Sequence, residues 1–285
     1  MLLELLKRAV WALFGVPLLL GLAYLGGWWL FGIGMLIVSV ALAEYYSAAL
    51  VGGFRPAVAL GFVVAGGLVA ASVFVPDQAA EVTIALLVLL SICSLLAALV
   101  PGRKSHAVTG PAVTVFGVVC IAFMVVYMVR LRYLDLPAQL GHDSTGEFAH
   151  RMGALLLVLA PVWACDTLAF ITGKAYGRRP LAPDVSPNKT IEGSIGGLLA
   201  AVLTATGLGV WLGLAWYHGL GLGLLLGVAG QLGDLATSII KRNLGIDDFS
   251  SALGVHGGFL DRFDGMLLNT PLAYYYLQLV CFFAG

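Results

Sequence analysis

The chain has 285 residues, of which 60% are hydrophobic and only 11% are charged, and its 15 basic residues are balanced by 15 acidic ones. A soluble domain carries roughly a quarter charged residues, so this composition indicates an integral membrane protein. The zero net charge argues against a nucleic-acid-binding protein, because such proteins carry an excess of basic residues. The four cysteines stand singly in apolar stretches, so neither a disulfide framework nor a zinc site is predicted.

Apolar stretches long enough to cross a bilayer, about 20 residues each, recur along the whole chain. They predict an all-α fold, a polytopic membrane helical bundle of about nine transmembrane helices, within one integral membrane domain (residues 1–285). Residues 1–152 hold the N-terminal spans, and residues 153–285 form the motif-bearing portion. The first span lacks a signal-peptide cleavage site and is predicted to be retained. The predicted spans are 9–26, 28–48, 57–75, 83–100, 111–129, 153–172, 193–216, 220–240 and 266–283.

The lysine and arginine residues predict the orientation of the bundle. If the N-terminus is cytoplasmic, nine spans place the C-terminus outside, and 12 of the 15 basic residues then face the cytoplasm. The three basic residues outside are Arg130, Arg132 and Arg151. Cytoplasmic loops of membrane proteins are enriched in Lys and Arg, so this orientation is favoured over its inverse.

The first polar cluster begins inside the sixth span and reads WACDTLAFITGKAYGRRPLAPDVSPNKTIEGS. Asp166 lies about six residues before the predicted end of that span, where an acid is unfavourable unless it is paired, hydrated or bound to a cation. The alternative is a helix-end acid that reaches water or pairs with Lys174. Ser186 and Pro187 fit the N-cap and the first position of a helix. A helix start there would leave Lys189 and free backbone N–H groups at a positive terminus, which suits an anion.

The second polar cluster, GQLGDLATSIIKRN, lies in the eighth span. Asp234, Ser238 and Lys241 have the spacing i, i+4, i+7 and therefore share one helical face, with Arg242 beside it. An internal ion pair between neighbouring turns would explain the pattern. A carboxylate with a hydroxyl and a cation above it fits a metal and phosphate site better.

The third polar cluster, HGGFLDRFDG, precedes the last span. Asp261 and Asp264 are three residues apart and project from one face if the last helix begins near them. Two such carboxylates repel unless one is protonated or a cation lies between them, and oxygen ligands favour Mg²⁺ over Zn²⁺. Gly257 and Gly258 allow close approach of the backbone to a ligand. His256 could be a ligand, a proton carrier or a loop residue.

The three clusters lie on the same predicted side of the membrane. Together they supply carboxylates for a metal ion and cations for phosphate. Phosphoryl and nucleotidyl transfer require this combination, because their catalysis consists mostly of positioning and charge neutralisation.

Two of these segments resemble a known family. SPNKTIEG at 186–193 and SIIKR…DFSSALGVHGGFLDRFD at 238–264 are similar to motifs of the phosphatidate cytidylyltransferases, also called CDP-diacylglycerol synthases. The resemblance implies transfer of a cytidylyl group from CTP to phosphatidic acid, which gives CDP-diacylglycerol and pyrophosphate in phospholipid biosynthesis. It also implies a Mg²⁺ cofactor, allows a second cation such as K⁺ and a homodimer, and places the enzyme in the cell (inner) membrane with its active site facing the cytoplasm.

The resemblance also assigns roles to individual residues. It makes Asp234, Asp261 and Asp264 the metal ligands, and these three with Lys241 and Arg242, which would meet substrate phosphates, form the predicted catalytic set. The residues predicted to bind substrate or nucleotide are Asp166, Ser186, Lys189, Glu192, Ser238, Asp248, His256, Gly257, Gly258 and Arg262.

Two positions depart from the family motif. Where the family has Lys immediately before Asp248, this chain has Asp247, and the usual Pro-Gly before His256 is replaced by Gly254 and Val255. If the family Lys binds a phosphate, Asp247 weakens activity or changes the accepted lipid. If that Lys is a surface residue, the replacement has no consequence.

Three other functions compete with cytidylyl transfer. A CTP-dependent lipid kinase acting on diacylglycerol or a polyprenol would release CDP in place of pyrophosphate. A transporter would use Asp166 and Asp234 as an ion path, but no repeated half is recognisable in the sequence. A catalytically inactive relative that serves as an assembly partner is disfavoured because Asp234, Lys241, Asp261 and Asp264 are all present.

Overall fold

The computed structural model describes residues 15–99, 107–136, 146–250 and 257–284, and these ranges are dominated by helices. A short antiparallel hairpin of β1 (Pro180–Ala182) and β2 (Ser186–Thr190) joins the sixth and seventh helices. Short 3-10 turns lie at Pro76–Gln78 and Leu260–Arg262. Within the described ranges the helices, numbered in chain order, are α1 Gly15–Leu25, α2 Gly27–Val51, α3 Val58–Phe74, α4 Ala79–Ala97, α5 Thr109–Arg132, α6 Gly146–Tyr176, α7 Ile191–Trp211, α8 Trp216–Leu244 and α9 Met266–Ala284.

Each of the nine predicted spans overlaps one of these helices, although residues 9–14 of the first span lie outside the described residues. Among the described residues, six helices are long and apolar enough to cross a membrane: α2, α4 with its preceding turn, α5, α6, α7 and α8. Helices α1 and α3 are shorter and apolar. The protein is therefore a helical, multi-span membrane protein, whereas the total of nine crossings and the orientation stay predictions.

The chain forms two compact units. The first consists of Met1–Val129 together with Asp248–Asp261, and the second of Arg130–Asp247 together with Arg262–Gly285. In the first unit, buried hydrogen bonds fasten α2 and the start of α3 to α5: the Tyr46 hydroxyl donates to the Thr114 carbonyl at 3.0 Å, and the Ala57 N–H donates to Thr114 Oγ1 at 2.8 Å. The segment Asp248–Asp261, which reaches into the 3-10 turn, belongs to the same unit as these N-terminal helices.

In the second unit, α7 packs against both α6 and α8 through small residues. The buried positions of α7 recur every fourth residue and are Gly193, Gly197, Ala201, Ala205 and Gly209. A Cβ added to Gly197 would lie 2.8 Å from the Cys165 carbonyl oxygen of α6, and one added to Gly223 of α8 would lie 2.5 Å from the Val202 Cα of α7. Small residues let membrane helices approach closely enough for van der Waals contact, so they set the separation of the three helices.

Replacing Gly223 with alanine is expected to lower the free energy of unfolding by about 1–3 kcal/mol, because the new methyl group overlaps the backbone of α7. Gly207→Ala is the matched control, since a Cβ at this position of α7 meets nothing within 4 Å. Denaturant titration in detergent micelles measures both variants. Equal stability of the two would contradict the close packing of α7 and α8.

The structure corrects the predicted start of the seventh helix. Ser186 and Pro187 lie in β2, and α7 begins at Ile191 after Thr190, whose hydroxyl oxygen accepts the N–H of Gly193 at 3.1 Å. Thr190 also belongs to the residues preferred at an N-cap, and pairing with β1 holds the preceding residues extended. The purely α-helical prediction thus omitted a hairpin.

The last helix begins at the predicted residue, but Asp261 and Asp264 are not part of it. Helix α9 begins at Met266, so Asp261 and Asp264 both precede it and do not share one of its faces. Asp261 lies in the 3-10 turn and Asp264 in the turn that follows. Three-residue spacing does not place side chains on one face where the chain bends between elements.

Candidate active site

A cluster of charged side chains lies in the second unit, where several helix ends and the hairpin meet. Asp166 comes from α6, Lys189 from β2, Asp234 and Lys241 from α8, and Asp264 from the turn before α9. All five were predicted from the sequence to be site residues. The packing of α6, α7, α8 and α9 brings them within electrostatic range of one another.

Lys189 and Asp234 form an ion pair at the centre of the cluster. Both side chains are half-buried, with 26% and 34% exposure, and the carboxylate of Asp166 interacts with both charges. The Lys189 Nζ atom is buried and makes no oriented hydrogen bond within the described residues. This ammonium group therefore retains hydrogen-bond donors for an anion.

Asp264 adds a further carboxylate to the cluster. Burial, and after it the carboxylate of Asp234, raises the pKa of Asp264 above the ordinary aspartate value, and the ammonium group of Lys241 opposes this only in part. The chain comes close here, because a Cβ on Gly233 would lie 3.0 Å from the Asp264 carbonyl oxygen. Crowded carboxylates of this kind are stabilised by a cation.

The donor set fits a hard ion that shares its ligands with a substrate. Within the ranges described, no three or more His, Cys, Asp or Glu side chains are grouped so that they could hold a metal ion by themselves. Mg²⁺ is usually held by one or two carboxylates, waters and substrate phosphates in place of a complete protein cage. Asp234 and Asp264 match that pattern.

Helix α8 carries the predicted polar face. Ser238 and Lys241 are buried, and the Ser238 hydroxyl donates to the Asp234 carbonyl oxygen at 2.8 Å within the helix. This hydroxyl therefore bonds to its own helix, and its predicted role in substrate binding stays a prediction. Lys241, one of only a few charged residues buried in the described part of the chain, contributes positive charge near Asp264.

Arg242 links the end of α8 to the hairpin. Its Nε donates to the Val185 carbonyl oxygen and its Nη1 to that of Ile246, each at 3.4 Å, and its guanidinium group forms an ion pair with Asp247. Asp247 is 91% exposed, so the charge reversal relative to the family motif lies on the surface beside Arg242.

Glu192 holds the base of the hairpin. Its Oε2 accepts the backbone N–H groups of Arg178 at 3.1 Å and Arg179 at 3.3 Å, and the Ile191 N–H donates to the Arg179 carbonyl oxygen at 2.9 Å. Ser186 lies in β2 at the other end of the hairpin. The nucleotide-binding roles predicted for Ser186 and Glu192 stay predictions.

The remaining predicted residues lie in or beside the segment that belongs to the first unit. The Oδ2 atom of Asp261 accepts the N–H groups of Phe249 at 3.1 Å and Gly258 at 2.9 Å. Gly257 has a φ of 70°, which favours glycine, and a Cβ there would lie 3.0 Å from the Asp248 carboxylate. His256 lies outside the described residues, and Arg262 is exposed in the 3-10 turn. The metal-binding role of Asp261 stays a prediction.

Sequence reasoning missed two polar residues inside apolar helices. Gln231 of α8 bridges the second unit: its amide group bonds to the Ser194 hydroxyl and donates to the Ser194 carbonyl at 3.0 Å. It lies three residues before Asp234, a spacing that marks the same helical face. The other is Glu44 of α2, which is buried and accepts hydrogen bonds from the segment around Leu260. An acid within an apolar span was the available signal.

Comparison with known proteins shows the family of the chain. A phosphatidate cytidylyltransferase of Synechocystis sp. is 31% identical over 296 residues, which cover 96% of this chain and 97% of that protein. Shorter matches include phosphatidate cytidylyltransferases of Bacillus subtilis, 42% identical over 41% of this chain and 45% of that protein, and of Aquifex aeolicus, 40% identical over 42% and 45%. The sequence profile described as the cytidylyltransferase family matches residues 6–280. The chain therefore belongs to the cytidylyltransferase family.

Proposed function

We propose that the chain is a phosphatidate cytidylyltransferase, which converts CTP and phosphatidic acid to CDP-diacylglycerol and pyrophosphate in phospholipid biosynthesis. The observation that carries the proposal is the cluster around the Lys189–Asp234 ion pair, in a family member similar over nearly its whole length to a protein of that name. The cluster combines carboxylates with ammonium groups at one end of apolar helices, where an anionic lipid and a nucleotide can meet.

In the proposed reaction, a phosphate oxygen of phosphatidic acid attacks the α-phosphorus of CTP. A new P–O–P bond forms, the bond between the α- and β-phosphates breaks, and pyrophosphate leaves. Lys189 and Lys241 would offset the negative charge of the phosphates, and Arg242, exposed at the end of α8, would add to this effect. Direct transfer needs no covalent intermediate on the enzyme.

Asp234 and Asp264 would hold Mg²⁺, with substrate phosphates and water as its other ligands. Bound there, Mg²⁺ would neutralise phosphate charge and orient the reacting groups. The charge of Asp166 would add to the electrostatic field of the site. Gln231, which is hydrogen-bonded to Ser194, would fix the rotation of α8 about its axis and so the direction of Asp234. A second cation such as K⁺ would share the same carboxylates.

The orientation and the cellular location belong to the proposal. We place the protein in the inner membrane of the cell, with the N-terminus and the active site on the cytoplasmic side, because 12 of its 15 basic residues then face the cytoplasm. CTP is available on that side. Assembly as a homodimer is part of the same proposal.

A labelling experiment tests the function. The purified protein in mild detergent receives Mg²⁺, phosphatidic acid and CTP labelled on either the α- or the γ-phosphate. The expected result is α-label in the lipid and γ-label in released pyrophosphate. That result would also establish that Asp247 is tolerated at the position where the family has lysine.

Two other outcomes would contradict the proposal. If γ-label enters the lipid when diacylglycerol or a polyprenol replaces phosphatidic acid, the protein is a CTP-dependent lipid kinase. If neither label moves in a folded preparation, the variant Asp247→Lys distinguishes two causes. Recovered transfer in that variant would show that Asp247 abolishes the activity, and no recovery would show that the proposed function is wrong.

A further inference from the structure

Glu44 is a buried acid in a helix that is otherwise apolar. It lies in α2, seven residues before the helix ends at Val51, and its residue exposure is 6%. A carboxylate at such a position is unfavourable unless protein groups take over the role of water, and ionisable residues in membrane helices commonly mark functional regions. The partners of Glu44 therefore indicate its role.

Both carboxylate oxygens of Glu44 accept hydrogen bonds from the segment Asp248–Asp261, which includes the first residues of the 3-10 turn. Oε1 accepts the Phe259 N–H at 2.8 Å and the Ser250 hydroxyl, and Oε2 accepts the Leu260 N–H at 2.7 Å. Hydrogen bonds to a charged acceptor are roughly twice as strong as neutral ones. Glu44 thus binds two consecutive backbone amides and a side chain on the other end of the same segment.

A glycine makes this approach possible. A Cβ added to Gly258 would lie 2.8 Å from Glu44 Oε2 and 3.0 Å from Asp261 Oδ2. The two carboxylates therefore reach the backbone at a position that a side chain would block. Asp261 holds Phe249 and Gly258 together, and Glu44 fastens Ser250, Phe259 and Leu260 to α2.

We propose that Glu44 is a positioning residue for the cytidylyl transfer reaction. It fixes the described ends of the segment, residues 248–250 and 257–260, and so sets the place of Asp261 and the start of the chain that leads to Asp264. The inference rests on the proposed function. Helix α2, whose sequence has no motif, would therefore influence the rate of the reaction through this segment.

The central test replaces Glu44 with glutamine, which keeps the size of the side chain and removes its charge. Glu81→Gln is the matched control, an exposed acid in the first turn of α4. With both variants normalised to folded protein, Glu44→Gln should lower kcat by about 10- to 100-fold and leave the KM for CTP nearly unchanged. Glu81→Gln should match the wild type.

Hydrogen exchange provides a readout that does not depend on activity. Amide exchange in peptides that contain Phe259 and Leu260 should accelerate about tenfold or more in Glu44→Gln, because both N–H groups lose an anionic acceptor. Peptides from α7 and α8 should exchange as in the wild type. Unchanged exchange at Phe259 and Leu260 would overturn the inferred contacts.

Ser250→Ala supplies a milder variant in case Glu44→Gln does not fold. It removes one donor to Glu44 and should lower kcat by about fivefold, with no further loss when combined with Glu44→Gln. Ser91→Ala is its control, since that exposed hydroxyl bonds only within α4, to the Leu87 carbonyl.

The kinetic outcomes separate the inference from the proposed function. Full kcat in Glu44→Gln and Ser250→Ala, with a wild type that transfers the α-label, would overturn only the positioning role. A folded wild type that transfers no label would overturn the proposed function and, with it, this inference.

Discussion

Asp234→Asn is expected to lower cytidylyl transfer by about 100- to 1,000-fold while the protein stays folded. Asp234 is paired with Lys189 and lies within electrostatic range of Asp166 and Asp264, so the loss of its charge affects three other charged groups of the cluster. Asparagine keeps the shape of the side chain but removes the charge that would hold the cation and orient the lysine. Turnover of α-labelled CTP at saturating and at limiting Mg²⁺ measures the loss.

The matched control for Asp234→Asn is Asp184→Asn in the exposed turn of the hairpin. This variant makes the same chemical change about 50 residues earlier in the chain and should transfer label at the wild-type rate. Wild-type turnover in Asp234→Asn, at any Mg²⁺ concentration, would remove Asp234 from the active site and leave the cluster as a structural ion network.

Lys189→Met should reduce kcat/KM for CTP by about 100-fold. Methionine preserves the apolar part of the side chain but removes the buried ammonium group, which would donate to phosphate oxygens in the proposed reaction. The loss of stability should be small, about 1 kcal/mol, because both members of the ion pair keep about a quarter to a third of their exposure and the pair is screened. Initial rates over a range of CTP concentrations measure the effect.

A double variant distinguishes catalysis from structure at Lys189. If the ion pair serves only the fold, Lys189→Met combined with Asp234→Asn should recover both stability and activity, since neither member of the pair is left without its partner. We expect recovery of stability alone. Lys174→Met, at an exposed lysine that lies over the ring of Phe170, is the control and should retain full activity.

The helices were predictable because their cause is local. A run of about 20 apolar residues must form backbone hydrogen bonds within itself in a bilayer, so every predicted span overlaps a helix in the described residues. Helix ends were less predictable, since α6 continues to Tyr176 and α8 to Leu244, beyond the predicted limits of 172 and 240. Polar residues in a last turn can stay helical in water, so hydropathy does not locate the end.

The residues of the site were predicted better than their pairings. Spacing along α8 correctly placed Asp234, Ser238 and Lys241 on one helix, and the one ion pair that it offered for Asp234, as the less favoured alternative, was within that helix. In the structure Asp234 pairs with Lys189, which comes from the hairpin. The packing of α7 between α6 and α8 decides this pairing, and it depends on glycine contacts that no local pattern encodes.

Glu44 was missed for a related reason. One acid in a span of 25 residues changes the mean hydropathy little, and its partners are more than 200 positions later in the chain. The two segments that resemble the family motifs begin at residue 186, so no motif drew attention to the N-terminal helices. Only the tertiary structure places Glu44 beside a segment whose sequence is diagnostic of the family.

The long chain separation between Glu44 and its partners has a consequence for biosynthesis. At 5–20 residues per second, the ribosome needs roughly 10–40 s to reach Phe259 and Leu260 after it has made Glu44. During that interval α2 leaves the ribosome with an acid whose backbone N–H donors do not yet exist. The incomplete protein must therefore keep this side chain in water or beside the insertion machinery until the end of synthesis supplies its permanent partners.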